Sequence, residues 1–261
     1  MVKIYGRRQE MQQTFDAELD VDAQVVRFHS SRSHVNELRF AVPVIGTVYG
    51  TALNYRGELT NMGEKVNEEP YKEPPKAPVL YIKPKNTFRS HKADIPFPED
   101  SDYLQVGAAL GIVLKKQATR VTVDHASDYI AGFTIVNDVS IPHESMHRPA
   151  IKEKARDGFC PIGPWIVDVS DINNADDLAI NVYVNDDLKQ SNSTKNLIRD
   201  VHTLLADVTD YMTLYEGDVL LVGTPENQPL FQVGDTVRID IEGIGSLENK
   251  AVANSIKGVN V

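Results

Sequence analysis

The chain has 261 residues, 41% hydrophobic and 25% charged, enough to bury a full core as one large domain or two modest ones. A formal net charge of -10 leaves no basic stripe for a nucleic-acid backbone, and an anionic ligand needs a local cluster of Lys and Arg against that global field. One cysteine, Cys160, excludes an internal disulfide, and no stretch has the apolar length of a membrane span, so a cytoplasmic-type protein with neither nucleic-acid nor membrane partners is expected.

Residues 1 to 10 carry charge with no apolar run behind it and do not read as a signal peptide. Val2-Lys3-Ile4-Tyr5 and Gln24-Val25-Val26-Arg27-Phe28 read as strands of a small β-rich unit, assigned to residues 1–43. The main body, residues 44–261, opens with the strand Thr47 to Asn54. A polar, acidic, proline-bearing loop follows from Asn61 to Pro78, too long and too polar for a buried connector. Val79-Leu80-Tyr81-Ile82 is a strand running into Lys83-Pro84-Lys85. Val106 to Leu114 is an apolar strand whose Gly107 and Gly111 suggest close backbone approach. Asp124 to Tyr129 reads as a short helix, Ile130 to Val136 as a strand, and Ile151 to Gly163 as a charged loop closed by a rigid Gly/Pro turn in which Cys160 packs. Leu178 to Val184 alternates as a strand with Asn185-Asp186-Asp187 as its turn. Leu197, Ile198, Val201, Leu204, Leu205 and Val208 recur at helical spacing, with Thr194 as N-cap. Asp218 to Gly223 and Thr236 to Ile241 close the series as strands. Strands outnumber helices without a strict βαβ alternation, so the class is α+β, built on a rolled or sandwiched mixed sheet.

His143-Glu144-Ser145-Met146-His147 matches the zinc-peptidase string, in which two histidines one helical turn apart hold zinc and the glutamate acts as base. Pro142 and Pro149 leave little more than a turn and a half of helix for it, and no clear third ligand follows, so it is not read as a zinc site. Asn137-Asp138, where a buried strand leaves the core, fits a cation or substrate site as well as it fits an Asx turn. Lys83, Lys85, Arg148, Lys152, Lys154 and Arg156 flank the strand ends, and two or three of them converging would hold a dicarboxylate. Gly223-Thr224-Pro225 is a turn whose amides and hydroxyl could meet a carboxylate.

Taken in order, Leu53-Asn54-Tyr55, Tyr81 to Thr87, Tyr129 to Phe133, Asn137-Asp138, Lys154 to Gly158 with Pro161-Ile162-Gly163, and Gly223-Thr224-Pro225 resemble the fumarylacetoacetate hydrolase superfamily from about Val48 to Ala251. Pro74-Pro75-Lys76, Ile95 to Pro98 and Arg148 to Lys152 are similar to its isomerase/decarboxylase branch in homoprotocatechuate (4-hydroxyphenylacetate) breakdown, of the N-terminal type. The resemblance implies the superfamily's mixed β-sandwich roll and a homodimer, with a C-terminal-type sister subunit as a further partner. It implies 5-oxopent-3-ene-1,2,5-tricarboxylate decarboxylase and 2-hydroxyhepta-2,4-diene-1,7-dioate isomerase chemistry on small di- and tricarboxylates: loss of a carboxylate β to a carbonyl, then proton relocation along the diene.

By the same resemblance, Lys154 and Lys83 stabilise charge, Glu58, Glu144 and His143 carry protons, and Thr224, Arg156 and Tyr55 bind substrate. Mg²⁺ or a similar divalent cation belongs to the superfamily, and its aspartate ligand falls on Asp138. The glutamate pair falls on Gly107 and Ala109, which cannot ligate, and the lid's His-x-x-Glu pair on Glu58 and Asn61. Metal binding is therefore expected to be weak or absent, with Lys154 or Lys83 paired to Asp138 in its place. Strict alternation would put Gln105 on the face of Gly107 and Ala109 as a neutral substitute ligand. Beside the enzyme reading stands a second: a catalytically degenerate partner that supports a metal-binding sister chain.

Overall fold

Alternation of apolar and polar residues gives Val2–Arg7, Ala179–Val184 and Thr236–Ile241 one buried face each, as expected of half-covered strands. Ala108–Leu114 and nearly all of Ile130–Asn137 and Cys160–Asp168 are buried on both faces and show no alternation. A computed structural model describes residues 1–9, 14–21, 23–29, 31–69, 72–143 and 150–253.

The large sheet runs in spatial order Arg32–His34, Val25–Arg27, Thr14–Asp20, Val2–Arg7, Cys160–Asp168, Ile130–Asn137, Ala108–Leu114, Val219–Leu221, Val48–Ala52 and Val79–Lys83. Its neighbours are antiparallel except Val219–Leu221 beside Val48–Ala52, and Phe88–Arg89, which pairs in parallel with the start of Cys160–Asp168. The first four strands join the rest through Ile4 opposite Val167 and Tyr5 opposite Ile166. A second sheet orders Asp187–Ser193, Ala179–Val184, Thr236–Ile241, Gly245–Ala253 and Ile95–Phe97. One apolar cluster fills the space between them, with Leu110, Ile112, Phe133 and Val167 from the large sheet and Ile180, Val182, Ile239 and Leu247 from the second. Trp165, 2% exposed, also bridges them: its indole N–H donates to the Ile244 carbonyl at 2.9 Å. The mixed-sheet α+β class read from the sequence is the class observed.

Three local expectations are corrected. The Gly/Pro stretch read as a turn around Cys160 is a nine-residue strand, Cys160–Asp168. Pro161 and Pro164 are tolerated because the strand changes partners and register along its length, pairing with Phe88 and Arg89 at its start and with Ile4 and Tyr5 near its end. Thr194 does not cap the long helix. Thr194–Asn196 is a 3₁₀ turn, Leu197 is extended, and the helix Val201–Tyr211 starts after Asp200, whose carboxylate accepts from the Thr203 amide at 2.7 Å. Finally, the strand expected from Val106 begins at Ala108.

His91 gives the fold a built-in acid sensitivity. Its Nδ1 accepts from the Glu248 amide at 3.1 Å and its ring meets the edge of Phe40, so burial, helped by Lys92, lowers it to about 4. The unfolded chain takes up this proton near the ordinary value of about 6.5, so between the two values the unfolded state binds more protons. Stability present above about pH 6.5 is expected to fall by roughly 2–3 kcal/mol as pH drops towards 4. Urea unfolding at pH 7 and pH 5, compared with His91→Gln, checks this; an equal decline in both proteins would assign it to other groups.

Candidate active site

The cluster starts from a fully buried lysine. Lys83 ends the strand Val79–Lys83 with its side chain 0% exposed, and Pro84 follows it out of the sheet. Its ammonium lies 2.8 Å from Asp138 Oδ1 and donates to the carbonyls of Val139 at 3.1 Å and Lys154 at 2.6 Å. The second contact satisfies an end carbonyl of the short helix Ile151–Lys154, where a cation is favoured. Asp138 follows the strand Ile130–Asn137, fixed by its amide donating to the Gly107 carbonyl at 2.8 Å. Its other oxygen accepts from Lys154 Nζ at 2.7 Å and from the Tyr81 hydroxyl at 2.5 Å, and Lys154 Nζ lies 4.8 Å from the Tyr81 ring centre. Burial alone would push the Asp138 carboxyl up; the ammonium groups of Lys154 and Lys83 outweigh it and hold it well below the usual range. The expected lysine–aspartate pair is present, and both lysines take part.

Above this cluster lies a cavity of about 320 Å³. Lys154, its side chain 18% exposed, is the cluster member whose charge reaches it. Thr51 comes from the strand Val48–Ala52, Glu58 and Asn61 from the helix Arg56–Met62, and Thr224, Glu226 and Gln228 from the turn after Val219–Leu221. Gly223 makes that turn with φ of 110° and packs against Thr51 and Asn54, where a Cβ would fall 3.2 Å from the Thr51 carbonyl oxygen. Burial raises Glu58 to about 7 against the pull of the Tyr55 amide and Lys154, and the neighbouring Glu226 adds to the rise. A carboxyl poised there exchanges protons readily at neutral pH.

Of the residues singled out from sequence, Glu58, His143, Lys154 and Thr224 line this cavity. Thr224 Oγ1 accepts from Gln228 Nε2 at 2.5 Å, and His143 Nδ1 lies 2.9 Å from the Ile141 carbonyl. Lys83 and Asp138 sit behind the wall, 0% and 1% exposed. Tyr55 is buried beneath the helix, and its hydroxyl is raised by burial and then by Glu58 and Glu226. Arg156 is turned away to Asp100, gripping both carboxylate oxygens at 2.6 and 2.8 Å, so it braces the loop rather than lining the cavity. Cys160 is buried with its thiol pushed up to about 12 by burial, in line with packing rather than nucleophilic use. Glu144 lies outside the described residues. Tyr81, Glu226 and Gln228 were not selected from sequence; the latter two lie within three residues after Gly223-Thr224-Pro225, and that nearness is the signal that could have found them.

The profile of the family described as Fumarylacetoacetate (FAA) hydrolase C-terminal matches residues 47–252. The chain belongs to the fumarylacetoacetate hydrolase family. It is 42% identical over 207 residues to the 4-hydroxyphenylacetate degradation bifunctional isomerase/decarboxylase of Escherichia coli, covering 79% of this chain and 47% of that protein. The chain thus spans about half the length of the curated relatives it matches first. A structure of 5-carboxymethyl-2-hydroxymuconate delta-isomerase from Mycobacterium smegmatis superposes with a TM-score of 0.78 at 29% identity, covering 97% of this chain and 99% of that one. A structure of 2-hydroxyhepta-2,4-diene-1,7-dioate isomerase from Mycobacterium marinum gives 0.80 at 27%, covering 98% and 100%.

The divalent cation that the family resemblance implies does not fit the residues present. Both oxygens of Asp138 already face ammonium groups or the Tyr81 hydroxyl. Ala109 is a fully buried methyl group in an apolar cluster. A Cβ on Gly107 would fall 2.4 Å from the Asp138 carbonyl oxygen, so the backbone closes the space a glutamate stem would need. Gln105 does line the cavity, but the strand breaks after it and strict alternation with Gly107 and Ala109 is lost. Among the described residues no group of three His, Cys, Asp or Glu side chains is placed to hold a metal ion. Gly107→Ala is expected to destabilise the chain by about 1–3 kcal/mol through that clash. Urea unfolding measures it; an unchanged midpoint would show that the backbone there can yield.

Proposed function

We propose that this chain is a subunit of an isomerase/decarboxylase of aromatic catabolism, and that its cavity relocates a proton along an unsaturated hydroxy- or oxo-dicarboxylate. The observation that carries this is the pairing, in one cavity, of the Lys154 ammonium with a Glu58 carboxyl raised to about 7. In the isomerase direction a 2-hydroxydiene gives up its hydroxyl proton, the electron pair moves through the diene, and a chain carbon gains a proton. Lys154 faces the negative oxygen as it develops, while Asp138 and Lys83 fix the ammonium in place. Glu58 holds the proton in transit. Thr224 and Gln228 supply hydrogen bonds to a substrate carboxylate. Decarboxylation of the corresponding oxo-tricarboxylate forms the same dienolate, with CO₂ as the departing group.

The names and identities of the relatives support this reading. We place it in a homodimer, with a C-terminal-type subunit as its further partner. The test follows loss of the dienol absorbance of 2-hydroxyhepta-2,4-diene-1,7-dioate with the purified chain, with and without Mg²⁺. Turnover by the chain alone, unchanged by chelation, is expected. The second reading, a degenerate supporting subunit, is favoured by Gly107 and Ala109 standing where the family keeps glutamates. Turnover only after adding the sister subunit would select it.

A further inference from the structure

Tyr81 lies two residues before Lys83 on the strand Val79–Lys83 and lines the cavity without a part in the proton transfer itself. Its ring has a prepared seat. It pairs across the sheet with Gly50, and a Cβ built on Gly50 would fall 2.2 Å from two of its ring carbons and 2.6 Å from its hydroxyl oxygen, so only glycine leaves it in place. From that seat the phenol meets the lysine–aspartate cluster twice. Its hydroxyl donates to Asp138 Oδ2 at 2.5 Å, the oxygen that also accepts from Lys154 Nζ at 2.7 Å. Its ring centre lies 4.8 Å from the same ammonium. Burial, and then Asp138, push the Tyr81 hydroxyl well above its ordinary value, so it remains a donor at neutral pH.

A lysine ammonium is a point charge with three donors on a flexible four-carbon stem, so one carboxylate oxygen alone does not set its direction. Such an oxygen offers two lone pairs. On Asp138 Oδ2 the Tyr81 hydroxyl takes one, which confines Lys154 to the other, and the ring face attracts the ammonium on its near side. Lys83 grips Asp138 Oδ1 at 2.8 Å and keeps the carboxylate from turning. We propose that Tyr81 is a positioning residue for Lys154: its hydroxyl and ring together fix the ammonium in the direction from which it meets the developing oxyanion. The purpose of this arrangement rests on the proton-relocation reading above; the positioning itself does not.

The test uses the full chain labelled with ¹³C at the lysine ε-carbon, the Lys154 signal being assigned by its disappearance in Lys154→Met. With the ammonium over the Tyr81 ring, the attached ε-protons resonate upfield of those of exposed lysines. Tyr81→Phe keeps a ring on Gly50 and removes only the hydroxyl. Its Lys154 signal is expected to move downfield, as the ammonium leaves the ring face. An unchanged signal in a folded Tyr81→Phe protein overturns the proposal. Turnover gives a second readout. Tyr81→Phe is expected to lower kcat by about 10–10²-fold with KM held within about twofold. On the Lys154→Met background it should cost less than about twofold, because it acts through that ammonium. An equal loss in both backgrounds would place Tyr81 on the substrate itself and overturn the positioning role. Absence of turnover in the unmodified chain would instead strike the proton-relocation reading and leave the lysine signal to decide the role of Tyr81.

Discussion

Lys83→Met is expected to destabilise the chain by about 3–5 kcal/mol, the cost of removing one partner from a buried ion pair. The lysine is fully buried, and its loss strips a cation from Asp138 and a donor from the carbonyls of Val139 and Lys154. Adding Asp138→Asn is expected to recover part of the loss, because the two residues share one network. Urea midpoints of the single and double variants check both statements; a loss below about 1 kcal/mol in Lys83→Met would mean the pair is not structural. The pH dependence follows from the same pair. The Asp138 carboxyl is held low, so its contribution is present above the ordinary carboxylate value of about 4 and fades as pH falls below it. In Lys83→Met that acid decline should be shallower.

Lys154→Met is expected to lower kcat/KM by about 10²–10³-fold, the effect of removing one preorganised donor from a developing oxyanion. Its ammonium is fixed between Asp138 and the Tyr81 ring with only its cavity side open, which is the arrangement charge stabilisation requires. The loss should fall mainly on kcat if the contact strengthens in the transition state. Full turnover by a folded Lys154→Met protein would remove it from the mechanism.

Sequence and structure agree where one segment carries the information alone. Val79 to Ile82, Ile130 to Val136 and Thr236 to Ile241 are strands as read, because apolar β-branched runs between turns admit few alternatives. The Asn185–Asp186 hairpin was also legible, and both residues adopt the positive φ its turn demands. Cys160–Asp168 was not, since its two prolines argue locally for a turn and only its changing partners accommodate them. Of the site, Lys83, Lys154 and Asp138 stood out as charges at strand ends. Their mutual pairing was an expectation, while the depth at which Lys83 is buried depends on how the sheet closes over it. Arg156 looked the same as its neighbours in sequence, and Asp100, far from it along the chain, decides which way it points. Glu226 was marked locally only by its place after Gly223-Thr224-Pro225, and its approach to Gly57 is set by the fold.

The parallel pairing of Val219–Leu221 with Val48–Ala52 has a kinetic consequence. It brings the Thr51 wall of the cavity to the Thr224 wall across most of the sequence between them, and no local hairpin does this in stages. Contacts of such long sequence separation form slowly in folding. During synthesis the cavity has no second wall until residues 219–228 have emerged, and Val219–Leu221 is also the strand that joins the Val48–Ala52 and Val79–Lys83 pair to Ala108–Leu114, so a chain truncated before it should lack both the cavity and the lysine–aspartate cluster. Substrate protection should therefore appear in the last refolding phase, together with the completion of the large sheet.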